Sequence, residues 1–284
     1  MRFLTILSAI IVTAAWGLNS SIGKMAVSDL PPFTLLSLRF LLIFIFFAPF
    51  SKITKADVPK LFGIAFMANV ITNGLCYTAF FYLQPTASIL LLQTETIITM
   101  IMAFLIRRET ISRYQIVGIL MSAAGMLFVF GMPQLNLFGA LLIILSQFSW
   151  GLTQIWYKDI KQINGCTFIA YSSVFAVPFT LLISLLFEIR ELHYAFEQIK
   201  WASFSGVMFF QVFALSGAMI LWQKMIAQHG VNKIVPYSVL QVVFGIMGGV
   251  VFFSDILTYN VWVGSILICI GVLIATLTKK EKTI

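Results

Sequence analysis

The sequence predicts an all-α integral membrane protein whose ten transmembrane helices form two inverted five-helix repeats. Three observations predict it. The 284 residues are 60% hydrophobic and only 10% charged, with a mean hydropathy of +1.00, whereas a soluble domain carries about 25% charged residues. The apolar residues fall into continuous runs about 20 residues long, the length a helix needs to cross the hydrocarbon core. Two ordered sets of residues also recur half a chain apart. Trp16-Gly17-Leu18 with Lys24 returns as Trp150-Gly151-Leu152 with Lys158, and Glu109, Gly118 and Gly125 return as Asp255, Gly264 and Gly271. A soluble fold of this length could not hide so much apolar surface.

The elements follow in order. Residues 4–26 are too long for a signal peptide's core and are not followed by a cleavage site and polar domain, so they read as span 1. Pro31-Pro32 separates them from span 2, at 33–50. Span 3, at 58–82, ends ahead of Pro85 and span 4, at 86–106. Spans 5 and 6, at 112–131 and 136–156, flank Pro133. Asn164-Gly165 precedes span 7, at 166–187. The 188–201 connection is the longest and most polar, and reads as a solvated amphipathic segment on the membrane surface. Span 8, at 202–222, stops before Gly230; spans 9 and 10 are 233–253 and 259–277. The runs are continuous rather than alternating, which excludes barrel strands.

The charges set the orientation. If both termini share one side, that side carries fourteen of the eighteen Lys and Arg residues, while the far loops hold only Arg190 and Lys200. That asymmetry places both termini in the cytoplasm. The net charge of +8 is scattered in short groups between apolar runs, so no nucleic-acid partner is expected. Cys76, Cys166 and Cys269 lack metal-type spacing, and His193 and His229 lie near loops without evident partners. Neither a metal site nor a Ser/His/Asp enzyme is expected, and no cofactor. There is no G-x-x-x-x-G-K-[ST] motif and no room for an ATPase domain.

Each repeat holds an odd number of spans, so the second, 136–284, enters the membrane opposite to the first, 1–131. Inverted repeats are a recurrent plan of secondary transporters, because two pseudo-equivalent halves can open one central site to either side in turn. The chain resembles the EamA family of the drug/metabolite transporter superfamily over nearly its whole length. The residues carrying the resemblance are Trp16-Gly17 with Lys24, Pro31-Pro32, Leu38-Arg39-Phe40, Pro85-Thr86-Ala87-Ser88, and Glu109 with Gly118 and Gly125. In the second half they are Trp150-Gly151 with Lys158, Pro236, Gly264 and Gly271. The resemblance implies a ten-span carrier of the inner (plasma) membrane, usually an exporter of small metabolites, similar to exporters of cysteine and O-acetylserine. Ser254-Asp255 departs from the Glu common in such second halves.

Ionisable and amide groups at membrane depth each need a reason. Glu95 lies near the midplane of span 4 and Arg39 about six residues into span 2, at depths differing by about 5 Å. They either pair with each other or face a central cavity. In the cavity, Glu95 would hold a substrate ammonium or exchange a proton, and Arg39 a substrate carboxylate. At the 146-residue offset Glu95 aligns with Gln241 of span 9, which shares a face with Tyr237, Gly245 and Gly248. Asn69, Asn73 and Tyr77 share a face of span 3; Gln147, Trp150 and Gln154 share a face of span 6; Trp16 and Asn19 lie three apart in span 1. For each set, interhelical hydrogen bonding competes with substrate contact. Lys24 reads as snorkelling to the outer headgroups or binding an anion at an outer vestibule. Gly245-x-x-x-Gly249 reads as packing inside the bundle, with a homodimer seam as the alternative.

The expected protein is therefore a secondary transporter exporting a small polar metabolite, an amino acid or derivative, by proton-coupled alternating access. Its partners are the substrate and the bilayer, with a homodimer left open. A lipophilic-cation exporter is the rival, and a non-transporting membrane enzyme or scaffold a more distant one.

Overall fold

The computed structural model describes residues 3–55, 57–108, 111–132, 134–157, 163–229 and 234–277. Every regular element among them is helical. Spans 1 and 2 are Phe3–Asp29 and Pro32–Phe47. Span 3 is Val58–Ala65 and Asn73–Tyr82, joined without interruption by a π-helical stretch, Phe66–Thr72. Span 4 is Pro85–Leu92 followed by Thr94–Arg107. Spans 5, 6 and 7 are Arg113–Phe130, Leu137–Tyr157 and Gly165–Phe187. Span 8 is Trp201–Phe209 and Leu215–His229 around a second π-helical stretch, Phe210–Ala214. Span 9 enters as a 3₁₀ turn, Val235–Val239, and continues as Leu240–Phe253. Span 10 is Tyr259–Leu277. Eight of these helices are long and apolar enough to cross a membrane, and spans 9 and 10 are shorter apolar helices. The polar 188–201 connection, read as an amphipathic segment, folds into a helix, Ile189–Gln198. Glu109, Pro133, Lys158 and Gly230 lie outside the described residues.

Local chemistry explains where the spans begin and end. Span 5 starts with a reciprocal capping box, Ser112 and Gln115 each accepting from the other's backbone N–H. Asn164 caps span 7 by accepting from the N–H of Cys166. The last turns of spans 4 and 9 close on Arg108 and Ser254, both left-handed, at φ 52° and 54°. They hold equivalent places at the 146-residue offset.

Spans 2 and 4 begin differently. Each opens on proline, which suits a helix's first turn, but neither Pro31 nor Gln84 supplies a side-chain cap. The caps come from the other half of the chain. Glu188 accepts from the N–H groups of Phe33 (2.9 Å) and Thr34 (2.8 Å) and from the Thr34 hydroxyl (2.9 Å). Asp255 accepts from the Thr86 N–H at 2.9 Å. Glu188 is only 7% exposed, so it is a buried helix cap, not a solvated residue of the outer connection.

Helix pairing follows one pattern in both halves. Span 5 packs antiparallel along span 10. A Cβ on Gly118 would meet the Gly271 carbonyl, and one on Gly125 the Gly264 carbonyl, so equivalent glycines answer each other reciprocally. Span 2 runs antiparallel to span 7, with Thr34 against Ser184 and Ser37 donating to Thr180. Gly17 of span 1 lies against Gln241, Phe244 and Gly245 of span 9; its counterpart Gly151 of span 6 lies against Ile98, Thr99 and Met102 of span 4. Two of the three partners are 146-residue equivalents, Ile98 with Phe244 and Thr99 with Gly245. Gly245 lies against Ile89 and Gly249 against Thr86, so that pair of glycines serves packing within the bundle. Large apolar side chains such as Leu120, Leu127, Leu186 and Val251 are exposed on the outside, as a hydrocarbon solvent requires.

Candidate functional site

Two breaks position the site. Span 4 is interrupted at Gln93, and span 9 becomes regular only after Val239. Gln93 and Val239 are 146-residue equivalents, so Glu95 and Gln241 each stand second in the half-helix that follows. Breaks at membrane depth free backbone polar groups, and are tolerated where protein or a water-filled cavity receives them. The π-helical stretches in spans 3 and 8 act similarly. In span 3, the Met67 carbonyl accepts from Thr72 in its own helix (2.9 Å) and from Ser149 of span 6 (2.8 Å).

Glu95 faces span 6. Its Oε1 accepts from the Trp150 indole N–H at 2.7 Å and from the Gln154 amide at 3.4 Å. The first distance is that of a strong charge-assisted bond. The approach is close because Gly151 carries no side chain where Met102 and Thr99 press against it. Glu95, Trp150 and Gln154 are each partly accessible although helices flank them.

Arg39 does not pair with Glu95. Its Nη1 donates to the Tyr77 hydroxyl at 2.7 Å, and its guanidinium lies 5.5 Å from the Tyr77 ring and 5.8 Å from the Phe40 ring. Tyr77 passes its own hydroxyl proton to Gln211 and, more weakly, to Asn19 (3.3 Å), while the Gln211 amide donates to Asn19 at 2.9 Å. The ion pair, one of the two alternatives, is not formed, because similar depth does not by itself bring two side chains together. Glu95 is taken up by span 6, and Arg39 by Tyr77 of span 3.

The remaining expected residues divide. Trp16 stands edge-on to Trp222 at 5.0 Å and packs, with Tyr237, on a small apolar cluster of spans 1, 8 and 9. Asn73 serves its own span, donating to the Ala68 carbonyl (2.9 Å) and to Asn69 (3.3 Å). Gln241 meets Gly17 through its carbonyl. Lys24 donates through its Nζ to the carbonyls of Leu83 (2.6 Å) and Phe80 (3.2 Å) at the end of span 3. His229, expected to lack a partner, meets Thr5 at 3.0 Å. Gln211 was not expected. It is fully buried, and its one signal is an amide standing alone in the run Val207-Met208-Phe209-Phe210-Gln211-Val212-Phe213.

Known proteins match this arrangement along its whole length. A crystal structure superposes with a TM-score of 0.69 at 13% identity, covering 98% of this chain and 97% of the other, which shows a shared fold. The chain is 22% identical over 298 residues to an uncharacterized transporter, YoaV, of Bacillus subtilis, covering 98% of each. It is 24% identical over 276 residues to a protein named probable amino-acid metabolite efflux pump of Salmonella typhimurium, covering 94% of this chain and 92% of that one. The EamA-like transporter family matches residues 3–131 and again residues 137–277. This multi-pass membrane protein, with its repeated broken helices, belongs to the EamA-like transporter family.

Proposed function

We propose that the protein is a secondary transporter that exports a small polar metabolite, an amino acid or derivative, across the plasma membrane by proton-coupled alternating access. The observation that carries this reading is Glu95: a carboxylate just past a helix break, held by Trp150 and Gln154 and by no cation among the described residues. Two neutral donors orient the carboxylate without neutralising it. That leaves it free to take a proton or a substrate ammonium, which a permanent ion pair would prevent. The halves 1–131 and 136–284 are the bodies that exchange. The reciprocal glycine crossings of spans 5 and 10 let the two helices approach backbone to backbone. The excess of Lys and Arg sets both termini in the cytoplasm. The export of amino-acid metabolites is the part of the reading that draws on the Salmonella relative's name.

The second reading is export of lipophilic cations. It is favoured by Trp150, whose aromatic ring beside Glu95 suits an organic cation as well as an ammonium. Counterflow from proteoliposomes separates the two. Competition by amino acids and derivatives such as O-acylated serine supports the first. Competition by bulky organic cations alone, with none by amino acids, refutes it.

A further inference from the structure

We infer that Arg39 is the anchor for the substrate's carboxylate, at an anion subsite shaped by Tyr77, Asn19 and Gln211 and distinct from Glu95. The inference rests on the amino-acid reading above and names the group that recognises one end of the molecule.

A guanidinium inside a membrane span is costly and normally finds an anion or a ring of acceptors. Among the described residues Arg39 has neither. One of its five donors is spent, on the neutral Tyr77 hydroxyl. Its Nε is buried and has no acceptor at all. An unsatisfied buried donor is unfavourable in the free protein and becomes an asset once a ligand supplies the acceptor. The edge left over, Nε with Nη2, is the fork that matches a carboxylate through two parallel hydrogen bonds.

The surroundings hold this fork in place. Tyr77 is 1% exposed and Gln211 is 0% exposed. Because the Tyr77 proton goes to the amide oxygens of Gln211 and Asn19, its oxygen is left to accept from Arg39. The chain Arg39–Tyr77–Gln211–Asn19 joins spans 2, 3, 8 and 1, drawn from both halves. The Tyr77 and Phe40 rings flank the guanidinium without neutralising it. Arg39 as a whole stays partly accessible.

Arg39 lies seven residues below the start of span 2 and Glu95 ten below the start of span 4. That difference is about 5 Å of depth. The interior thus offers one cationic and one anionic group, at similar depth and not bonded to each other.

The test is counterflow in proteoliposomes with wild type, Arg39→Gln and Arg39→Lys, using an amino acid and the amine made by removing its carboxyl group as competitors. Arg39→Gln should lose roughly tenfold or more in apparent affinity for the amino acid, as a lost charge-assisted pair implies. It should leave the amine's affinity within about twofold, and Arg39→Lys should fall between, since lysine keeps the charge without the fork. Equal loss for amino acid and amine would overturn the inference, because a merely structural role predicts it. So would an Arg39→Gln protein that binds the amino acid as wild type does, and in that case the exporter reading would stand. If wild-type protein takes organic cations and no amino acid, the exporter reading fails and the carboxylate anchor falls with it.

Discussion

Substituting Gly118 by alanine tests whether the two halves meet as described. An ideal Cβ at Gly118 would stand 2.5 Å from the Gly271 carbonyl oxygen and 2.7 Å from both the backbone nitrogen and Cβ of Ala275, where ordinary contact begins at 3.4 Å. The obstacles are backbone and a methyl group, so no side chain can swing away. Spans 5 and 10 must separate by about 0.9 Å. Overpacking of this kind costs about 1–3 kcal/mol, while alanine gains up to about 1 kcal/mol of helix propensity over glycine. Gly206 separates these effects, because a Cβ there meets nothing within 4 Å. Gly206→Ala should be neutral or stabilising by up to about 1 kcal/mol. The gap between the two variants then isolates the packing cost of about 1–3 kcal/mol, or roughly 2–10 °C in midpoint. Thermal unfolding in detergent, followed by the monodisperse fraction, measures it. Gly118→Ala unfolding at the same temperature as Gly206→Ala would refute the close crossing.

Further predictions follow from the caps, the carboxylate's neighbours and the charge asymmetry. Glu188→Gln should lower stability by about 2–3 kcal/mol, since three donors of span 2 lose a charged acceptor; denaturant unfolding of both proteins measures it. Ser112→Ala, which breaks the capping box of span 5, should cost about 1 kcal/mol in the same assay. Trp150→Phe keeps the ring but removes the indole N–H from Glu95. It should lower the unfolding midpoint modestly and reduce transport severalfold at temperatures where the variant is fully folded, which unfolding and flux measured together will check. A reporter fused after Ile284 should be active only in its cytoplasmic form, and activity of a periplasmic-type reporter there would overturn the orientation.

Much of this architecture is written in patterns the chain cannot avoid. A helix crossing hydrocarbon must satisfy its own backbone, so each span shows as an apolar run of fixed length. Small residues are needed wherever equivalent helices cross, so Gly118, Gly125, Gly264 and Gly271 mark the repeat in sequence and the contact in space. The correspondence of Glu95 with Gln241 was legible for the same reason. Side-chain pairing was not. Depth along a span can be counted, but the rotation of one span against another depends on packing. Arg39 therefore found Tyr77 and not Glu95, and the Trp16–Trp222 contact could not be foreseen. The caps supplied by Glu188 and Asp255 reach across the halves, and no local pattern announces them. Gln211 escaped because one amide among phenylalanines carries no periodicity.

The central claim is that Glu95 is the group through which transport senses protons or ammonium. Transport by Glu95→Gln in proteoliposomes, with and without an imposed pH gradient, tests it most directly. Glutamine keeps the shape and still accepts from Trp150, and a wild-type unfolding midpoint establishes that the fold is intact. The account predicts that the pH gradient no longer drives substrate movement and that apparent affinity falls. Wild-type affinity together with wild-type pH dependence in Glu95→Gln would contradict it.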